Sequence, residues 1–193
     1  MRRYTFSTFT PGEVEKITGL TTVQQRDWRR RGFLPANAGG HARFEASVVA
    51  ELWTMQLLAD RDVGPQYSRE IARFGGAGIL AGAFELKEAF EGDHLRALEW
   101  NAKHVELHWR NQSEWLTQRI FRELLDLRFK PARYLLWLPD GRELWCSSLE
   151  EAEADLSEGA VILLDQTALG HAFVRRAGRP LVHVEFDSAE DGS

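Results

Sequence analysis

Arginines concentrated near the start of this chain could bind phosphate. Four of them lie within six residues, a fifth follows shortly after, and two more stand at the start of the chain: Arg26, Arg29, Arg30, Arg31, Arg43, Arg2 and Arg3. A phosphate responds to the potential within about one Debye length, roughly 8–10 Å at ordinary salt, so a local basic patch is sufficient to attract it. The alternative interpretation is a solvated helix face without a ligand.

The charge of the whole chain is unevenly distributed. The 193 residues carry a net charge of −5. Residues 1–76 hold 11 Lys and Arg against 8 Asp and Glu, a net charge of +3, whereas residues 77–193 hold 13 against 21, a net charge of −8. Any binding of nucleic acid is therefore expected in the first part of the chain.

Composition excludes several classes of protein. Hydrophobic residues make up 44% and charged residues 27%, which is typical of a globular protein with a real core. One cysteine, Cys146, excludes an intrachain disulfide framework and a multi-thiolate zinc site. Because no signal-peptide core and no run of roughly 20 apolar residues is found, we expect a soluble, cytoplasmic protein with no membrane partner.

Two short helices are predicted before the arginine cluster ends. Thr10-Pro11-Gly12-Glu13 combines a capping residue, an early proline and a glutamate three residues after the cap, so it predicts a helix start, and Gly19 ends that helix. Thr21 begins a second helix, with Gln24 completing a second capping box and Gly32 stopping it. The spacing is that of a helix-turn-helix, whose second helix enters the major groove of DNA.

Further elements extend this pattern. Residues 41–44 predict a short hairpin, or wing, after a glycine-containing stretch. Apolar spacing then predicts a helix from Ala46 to Asp60 and, after a break at residues 62–65, another helix through Ile71 and Phe74. The order is helix, turn, helix, wing, helix, helix.

With these elements the chain resembles the MerR-type transcriptional regulators over about residues 6–74. The segments that carry the resemblance are Thr10-Pro11-Gly12-Glu13-Val14, Thr18-Gly19-Leu20-Thr21, Arg26-Asp27-Trp28-Arg29-Arg30-Arg31-Gly32-Phe33-Leu34-Pro35, Gly39-Gly40-His41-Ala42-Arg43-Phe44 and Val48. The resemblance implies a DNA-binding domain, a helix that pairs with its twin in a homodimer, and a variable C-terminal domain that senses a ligand or contacts a partner. Phage excisionases and related recombination or DNA-packaging factors share the domain type, so a non-enzymatic adaptor that acts through protein contacts is the alternative function.

The resemblance and the helical periodicity together name candidate DNA contacts. If Trp28 is a core residue, Val23, Arg26 and Arg30 face outward. The predicted contacts to double-stranded DNA are Thr22, Gln24, Arg26, Arg29, Arg30, His41 and Arg43. The chain departs from the family pattern at three positions: it has Asp27 in place of an aromatic residue, Gln25 in place of leucine and Ala42 in place of arginine.

The rest of the chain divides into two predicted segments. The glycine cluster at residues 75–78 predicts a linker, which gives a DNA-binding domain at 1–76, a helical linker or dimerisation segment at 77–130 and a C-terminal module at 131–193. Apolar residues from Leu95 to Leu127 follow helical spacing. They form either a dimer seam or internal core.

The predicted fold class is therefore a mainly α N-terminal winged helix-turn-helix, a long helical segment and a small α+β C-terminal module. In that module we predict a hairpin of strands 134–138 and 143–146, a helix over 148–156, a strand at 161–164, a helix over 167–176 and a strand over 181–186. It is the expected location of a small-molecule or protein effector.

The sequence predicts no enzyme and no cofactor. His104 and His108 are spaced to share a metal ion, but no further ligands follow, so we expect surface or core histidines. Cys146 has no neighbour that would activate a thiol, and no phosphate loop or serine elbow is present.

Overall fold

The structure, a computed structural model, describes residues 2–34, 42–92, 113–114, 117–122, 125–126, 131–156 and 159–186. Three residues singled out above, His41, His104 and His108, lie outside these ranges. So do residues 95–112, which contain most of the predicted helical stripe.

Four helices form the first part of the chain: α1 (Pro11–Thr18), α2 (Thr22–Arg30), α3 (Ala46–Ala59) and α4 (Pro65–Ala83). Both predicted capping boxes are confirmed. The hydroxyl of Thr10 accepts from the Glu13 N–H while the Glu13 carboxylate accepts from the Thr10 N–H, and Thr21 and Gln24 make the same exchange. Gly19 ends α1 with φ +83°, a left-handed conformation that glycine adopts without strain.

Short strands and further helices make up the rest of the described fold. The strands are β1 (Arg2–Phe6), β2 (Thr8–Phe9), β3 (Phe44–Glu45), β4 (Phe90–Gly92), β5 (Tyr134–Trp137), β6 (Glu143–Cys146), β7 (Ile162–Asp165) and β8 (Val182–Phe186). The helices are α5 (Glu153–Leu156) and α6 (Gln166–Ala177), with 3₁₀ turns at Lys87–Ala89 and Glu150–Ala152. Residues 117–122 are also helical. The chain is thus largely helical with small sheets, which confirms the coarser part of the predicted fold class.

One three-stranded sheet joins distant parts of the chain, with strand order β1-β8-β4. β1 pairs antiparallel with β8 from Arg2↔Phe186 to Phe6↔Val182, and β4 pairs parallel with β8 on the other side. The sequence analysis predicted β8 but not β1. The predicted C-terminal module is therefore connected to the first residues of the chain by backbone hydrogen bonds.

The second three-stranded sheet, with order β6-β5-β7, agrees with the predicted hairpin. β5 and β6 pair antiparallel from Tyr134↔Cys146 to Trp137↔Glu143, around the expected turn at residues 139–142. β7 pairs antiparallel with the other edge of β5. Helix α6 then follows β7 directly and ends at Gly178, also as predicted.

The glycine cluster is not a linker, and that prediction is wrong. Helix α4 continues without a break through residues 75–78 to Ala83. A Cβ at Gly76 would lie 2.7 Å from the Glu51 backbone nitrogen in α3, and a Cβ at Gly82 would lie 2.6 Å from the Thr167 Cα in α6. The glycines therefore let α3 and α6 approach the backbone of α4 from two sides.

The main hydrophobic core contains side chains from both ends of the chain. Phe173 of α6 lies with its ring centroid 6.0 Å from that of Phe9 and 6.3 Å from that of Trp53 in α3, and all three are buried. Ile120 and Phe121 belong to the same core. The three-part domain division stays a prediction, as does the choice between dimer seam and internal core for the stripe at 95–127.

Phe44–Glu45 pairs antiparallel with Thr8–Phe9, and the hairpin itself stays a prediction because residues 35–41 are not described. Within the described ranges, no helix combines the length and the apolar character needed to cross a bilayer.

Candidate nucleic-acid interface

One face of helix α2 packs into the main core through Trp28, and the opposite face is exposed to solvent. Trp28 is 6% exposed and belongs to the main core, whereas Val23 is 70% exposed. Arg26 and Arg30 are exposed on the same side as Val23. The predicted orientation of the helix is confirmed, and its outward face is cationic.

Gln25, which replaces the leucine expected from the family, joins the two helices. Its side chain is 1% exposed, and its amide nitrogen donates to the carbonyl oxygens of Pro11 and Leu20, each at 2.9 Å. A buried amide that makes these bonds replaces apolar packing with directional contacts. The Gln25 side chain therefore connects α2 to the first residue of α1 and to the turn between the two helices.

Asp27, the second departure, pairs with neighbouring arginines. Its carboxylate lies 2.6 Å from Arg30 Nη2 and 3.6 Å from Arg31 Nη1. The Arg30 side chain is nevertheless 81% exposed, so the pair is solvated and weak. Arg26 makes no ion pair with any described residue, which leaves its whole guanidinium available to a ligand.

We expect Asp27→Asn to strengthen DNA binding about three- to fivefold. The substitution keeps the size of the side chain but removes a negative charge beside the outward face of α2. It also breaks the ion pair with Arg30, whose guanidinium can then bind DNA. Together these changes should improve the free energy of binding by about 1 kcal/mol, the usual size for charges near a solvated surface. Fluorescence anisotropy on a fixed duplex measures it. Asp62→Asn, in the turn between α3 and α4, is the control for the change in net charge. Unchanged or weaker binding by Asp27→Asn contradicts the expectation.

The N-terminus of α2 is already partly occupied by an acidic side chain. Glu15 of α1 accepts a hydrogen bond from the Thr22 N–H at 3.0 Å, and the side-chain amide oxygen Oε1 of Gln24 accepts from both the N–H and the hydroxyl of Thr21. Free N–H groups at a helix start are a common phosphate site. Here the Thr22 N–H is not free, so Thr22 and Gln24 can offer DNA only the Thr22 hydroxyl and the Gln24 amide N–H groups. The sequence analysis did not identify the role of Glu15.

Stacking and hydrogen bonding hold the C-terminal end of α2. The Arg29 guanidinium lies 5.5 Å from the centroid of the Phe44 ring, and that of Arg31 lies 4.9 Å from the centroid of Phe33. Arg69 of α4 donates to the Gly32 carbonyl oxygen at 3.0 Å. Arg69, which the sequence analysis did not select, thus connects α4 to the residue that follows the arginine cluster.

The exposed Arg43 interacts electrostatically with the Glu13 carboxylate of α1. An oxygen of the same carboxylate lies 3.4 Å from Arg179 Nη2, so Glu13 connects α1 to the C-terminal part of the chain. Hydrogen bonds from the backbone and hydroxyl of Thr10, with smaller contributions from Arg179 and Arg43, hold the pKa of the Glu13 carboxyl below its ordinary value. Glu13 is therefore ionised at neutral pH and offsets part of the positive charge of Arg43.

Cys146 is a buried free thiol. Desolvation and the Glu151 carboxylate raise its pKa above the ordinary value, which favours the protonated thiol over the thiolate. Across the part of the chain that the structure describes, no three His, Cys, Asp or Glu side chains are arranged to hold a metal ion.

Two capped helices at a helix-turn-helix spacing, with a buried tryptophan behind a cationic face, have the arrangement of a helix-turn-helix domain. Residues 9–74 match the family model described as MerR HTH family regulatory protein, which identifies this part of the chain as a MerR-type helix-turn-helix domain. The match indicates a DNA-binding transcription regulator and gives no indication of an enzyme. Comparison with curated proteins and with solved structures gives no match.

Proposed function

We propose that the protein is a homodimeric, sequence-specific regulator of transcription that acts in the cytoplasm and binds double-stranded DNA through α2. The observation that supports this most directly is the exposed Arg26 on a helix whose opposite face is held by the buried Trp28. Such an arrangement presents a cation on a rigid element, as recognition in the major groove requires. The match of residues 9–74 to the MerR family supports the same function.

Within this proposal the predicted contacts have different roles. Arg26 and Arg30 reach the duplex from the outward face of α2 and bind guanine edges or phosphate. Arg29 in α2 and Arg43 just before β3 bind the phosphate backbone of the DNA, and the same role is proposed for His41 of the predicted wing. Thr22 and Gln24 contribute side-chain hydrogen bonds at the start of the helix.

Dimerisation and a C-terminal effector module complete the proposal. A two-fold symmetric dimer matches a palindromic site and doubles the number of phosphate contacts. The module packs on the DNA-binding region through α6: Arg176 donates to the Ile17 carbonyl oxygen at the end of α1 (2.6 Å). An effector bound by the module could therefore change the position of α1.

Selection of bound sequences from random DNA, combined with light scattering of the complex, tests this proposal. We expect one enriched palindromic sequence and a mass of two chains per duplex. An enriched sequence without symmetry and a mass of one chain contradict the dimer. No enrichment at all contradicts the function.

Arg26→Ala is expected to weaken binding to the selected duplex about tenfold. The loss follows from one missing guanine or phosphate contact, each worth about 1–3 kcal/mol at a base edge. If the contact is to phosphate, the negative slope of log K against log salt concentration also becomes shallower by about 0.9. Anisotropy titrations at several salt concentrations measure both quantities.

Arg175→Ala is the matched control for this prediction. Arg175 is an exposed arginine of α6 outside residues 9–74, and its loss changes the net charge equally. Its affinity and salt slope should equal those of the unmodified protein. Equal losses in the two variants would mean that Arg26 acts only through the total charge, and α2 would then not be the recognition helix.

A further inference from the structure

A cavity of about 540 Å³ separates the DNA-binding region from the C-terminal hairpin. One wall is formed by α4, including Glu70, Ile71 and Phe74, and the other by β6 with Glu143 and Trp145. The volume is within the range of small-molecule sites in proteins, roughly 300–1,000 Å³.

The apolar part of this cavity is aromatic. The Phe74 and Trp145 rings have centroids 6.3 Å apart and meet edge to face at 74°. Phe74 is 39% exposed although it is one of the largest apolar side chains on α4. Two rings at nearly a right angle form a corner that a flat apolar molecule can fill.

Both charged side chains of the lining are carboxylates, and both are exposed to solvent. Neither Glu70 nor Glu143 makes a hydrogen bond or an ion pair with a residue that the structure describes. A second cavity, beside β7, differs in this respect: its carboxylate, Asp165, is paired with Arg133 at 2.9 Å and caps α6. The two carboxylates of the first cavity, by contrast, pair with no cation among the described residues and can accept one from a ligand.

We propose that the cavity between α4 and β6 binds an organic cation with a flat apolar body. The carboxylates of Glu70 and Glu143 attract the positive charge, and the faces of Phe74 and Trp145 add cation–π attraction and apolar contact. An anion or a neutral molecule of the same shape lacks the first of these contributions. The cavity thus selects ligands by charge.

The position of the cavity also gives the ligand a connection to α2, an inference that rests on the proposed function. Glu70 follows Arg69, whose guanidinium donates to the Gly32 carbonyl oxygen two residues after α2 ends. A ligand held by Glu70 therefore acts on the turn of α4 that contacts the end of the recognition helix. Because binding free energies are reciprocal, a cation that changes DNA affinity is itself bound differently in the presence of DNA.

Calorimetric titration of the full chain without DNA tests the site. The probes are N-methylquinolinium and quinoline at pH 8, which share one ring system and differ in charge. We expect the cation to bind at least tenfold more tightly than quinoline. Glu70→Gln and Glu143→Gln should each weaken cation binding about fivefold, the value for one charge at about 4 Å in water.

Glu88→Gln is the matched control, because Glu88 is an exposed carboxylate on the 3₁₀ turn outside the cavity lining. It should bind the cation as the unmodified protein does. Circular dichroism confirms that each variant is folded. Absent cation binding, equal binding of the two probes, or unchanged binding in both cavity variants overturns the proposal.

A second measurement separates the site from its connection to DNA. The affinity for the selected duplex, measured with and without saturating N-methylquinolinium, should change on the order of tenfold in the unmodified protein and much less in Glu70→Gln. Calorimetric binding without any change in DNA affinity overturns the connection but supports the site. A protein that binds the cation but no DNA contradicts the proposed function alone.

Discussion

A fragment comprising residues 1–76 is expected to show no cooperative unfolding transition. The cut falls inside α4, removing Ile79 and Leu80, which are fully buried in the full chain. It also removes Phe173, which packs on Phe9 and Trp53, and all of β8, with which β1 pairs. Each large buried side chain contributes about 2–5 kcal/mol, so these losses together are comparable with the roughly 5–15 kcal/mol by which a domain of ordinary size is stable.

Urea titration followed by tryptophan fluorescence measures this directly. A longer fragment, residues 1–86, restores the whole of α4 but still lacks α6 and β8, and we expect it to remain without a transition. A sharp transition in the 1–76 fragment, together with full DNA affinity, would show that the predicted DNA-binding domain is independent. A transition only in the 1–86 fragment would assign the defect to the cut in α4.

Gly170→Ala is expected to lower the free energy of unfolding by about 3 kcal/mol. An added Cβ would lie 2.2 Å from the Ala83 backbone nitrogen and 2.3 Å from the Ile79 carbonyl oxygen. Both atoms belong to backbone, which cannot rotate away as a flexible side chain can, so α4 and α6 must separate. Overpacking of this kind costs about 1–3 kcal/mol and sometimes more.

Gly12→Ala is the control for this second prediction. Gly12 also lies in a helix, but no atom of another part of the structure lies within 4 Å of the position that an added Cβ would take. Because alanine is the better helix former by about 1 kcal/mol, this variant should be as stable as the unmodified protein or slightly more so. The urea midpoints of the Gly170→Ala and Gly12→Ala variants are compared with that of the unmodified protein. Equal midpoints for the two variants would contradict the close approach of α4 and α6.

Local signals made much of the helical region predictable. Thr10 with Glu13, and Thr21 with Gln24, are three residues apart, and each pair acts on backbone groups within the same turn. The burial of Trp28 and the exposure of Arg26 follow from helical periodicity alone. Such features depend on a few neighbouring residues, so the sequence is sufficient to predict them.

The predictions that failed depend on distant parts of the chain. A glycine cluster has the same composition in a flexible linker and in a close helix contact, and only the approach of α3 and α6 shows that this cluster makes close helix contacts. β1 was missed because its partner β8 lies some 180 residues away. In the site, Asp27 was recognised as a negative charge, but its pair with Arg30 and the role of Glu15 depend on side-chain geometry.

The pairing of β1 with β8 has a consequence for biosynthesis. The ribosome releases β1 first, and β8 follows only after roughly 10–40 seconds at 5–20 residues per second. During that interval the nascent chain lacks the strand that completes its sheet. High contact order of this kind slows folding, so we expect the native state to form after translation ends and early chains to need protection from aggregation.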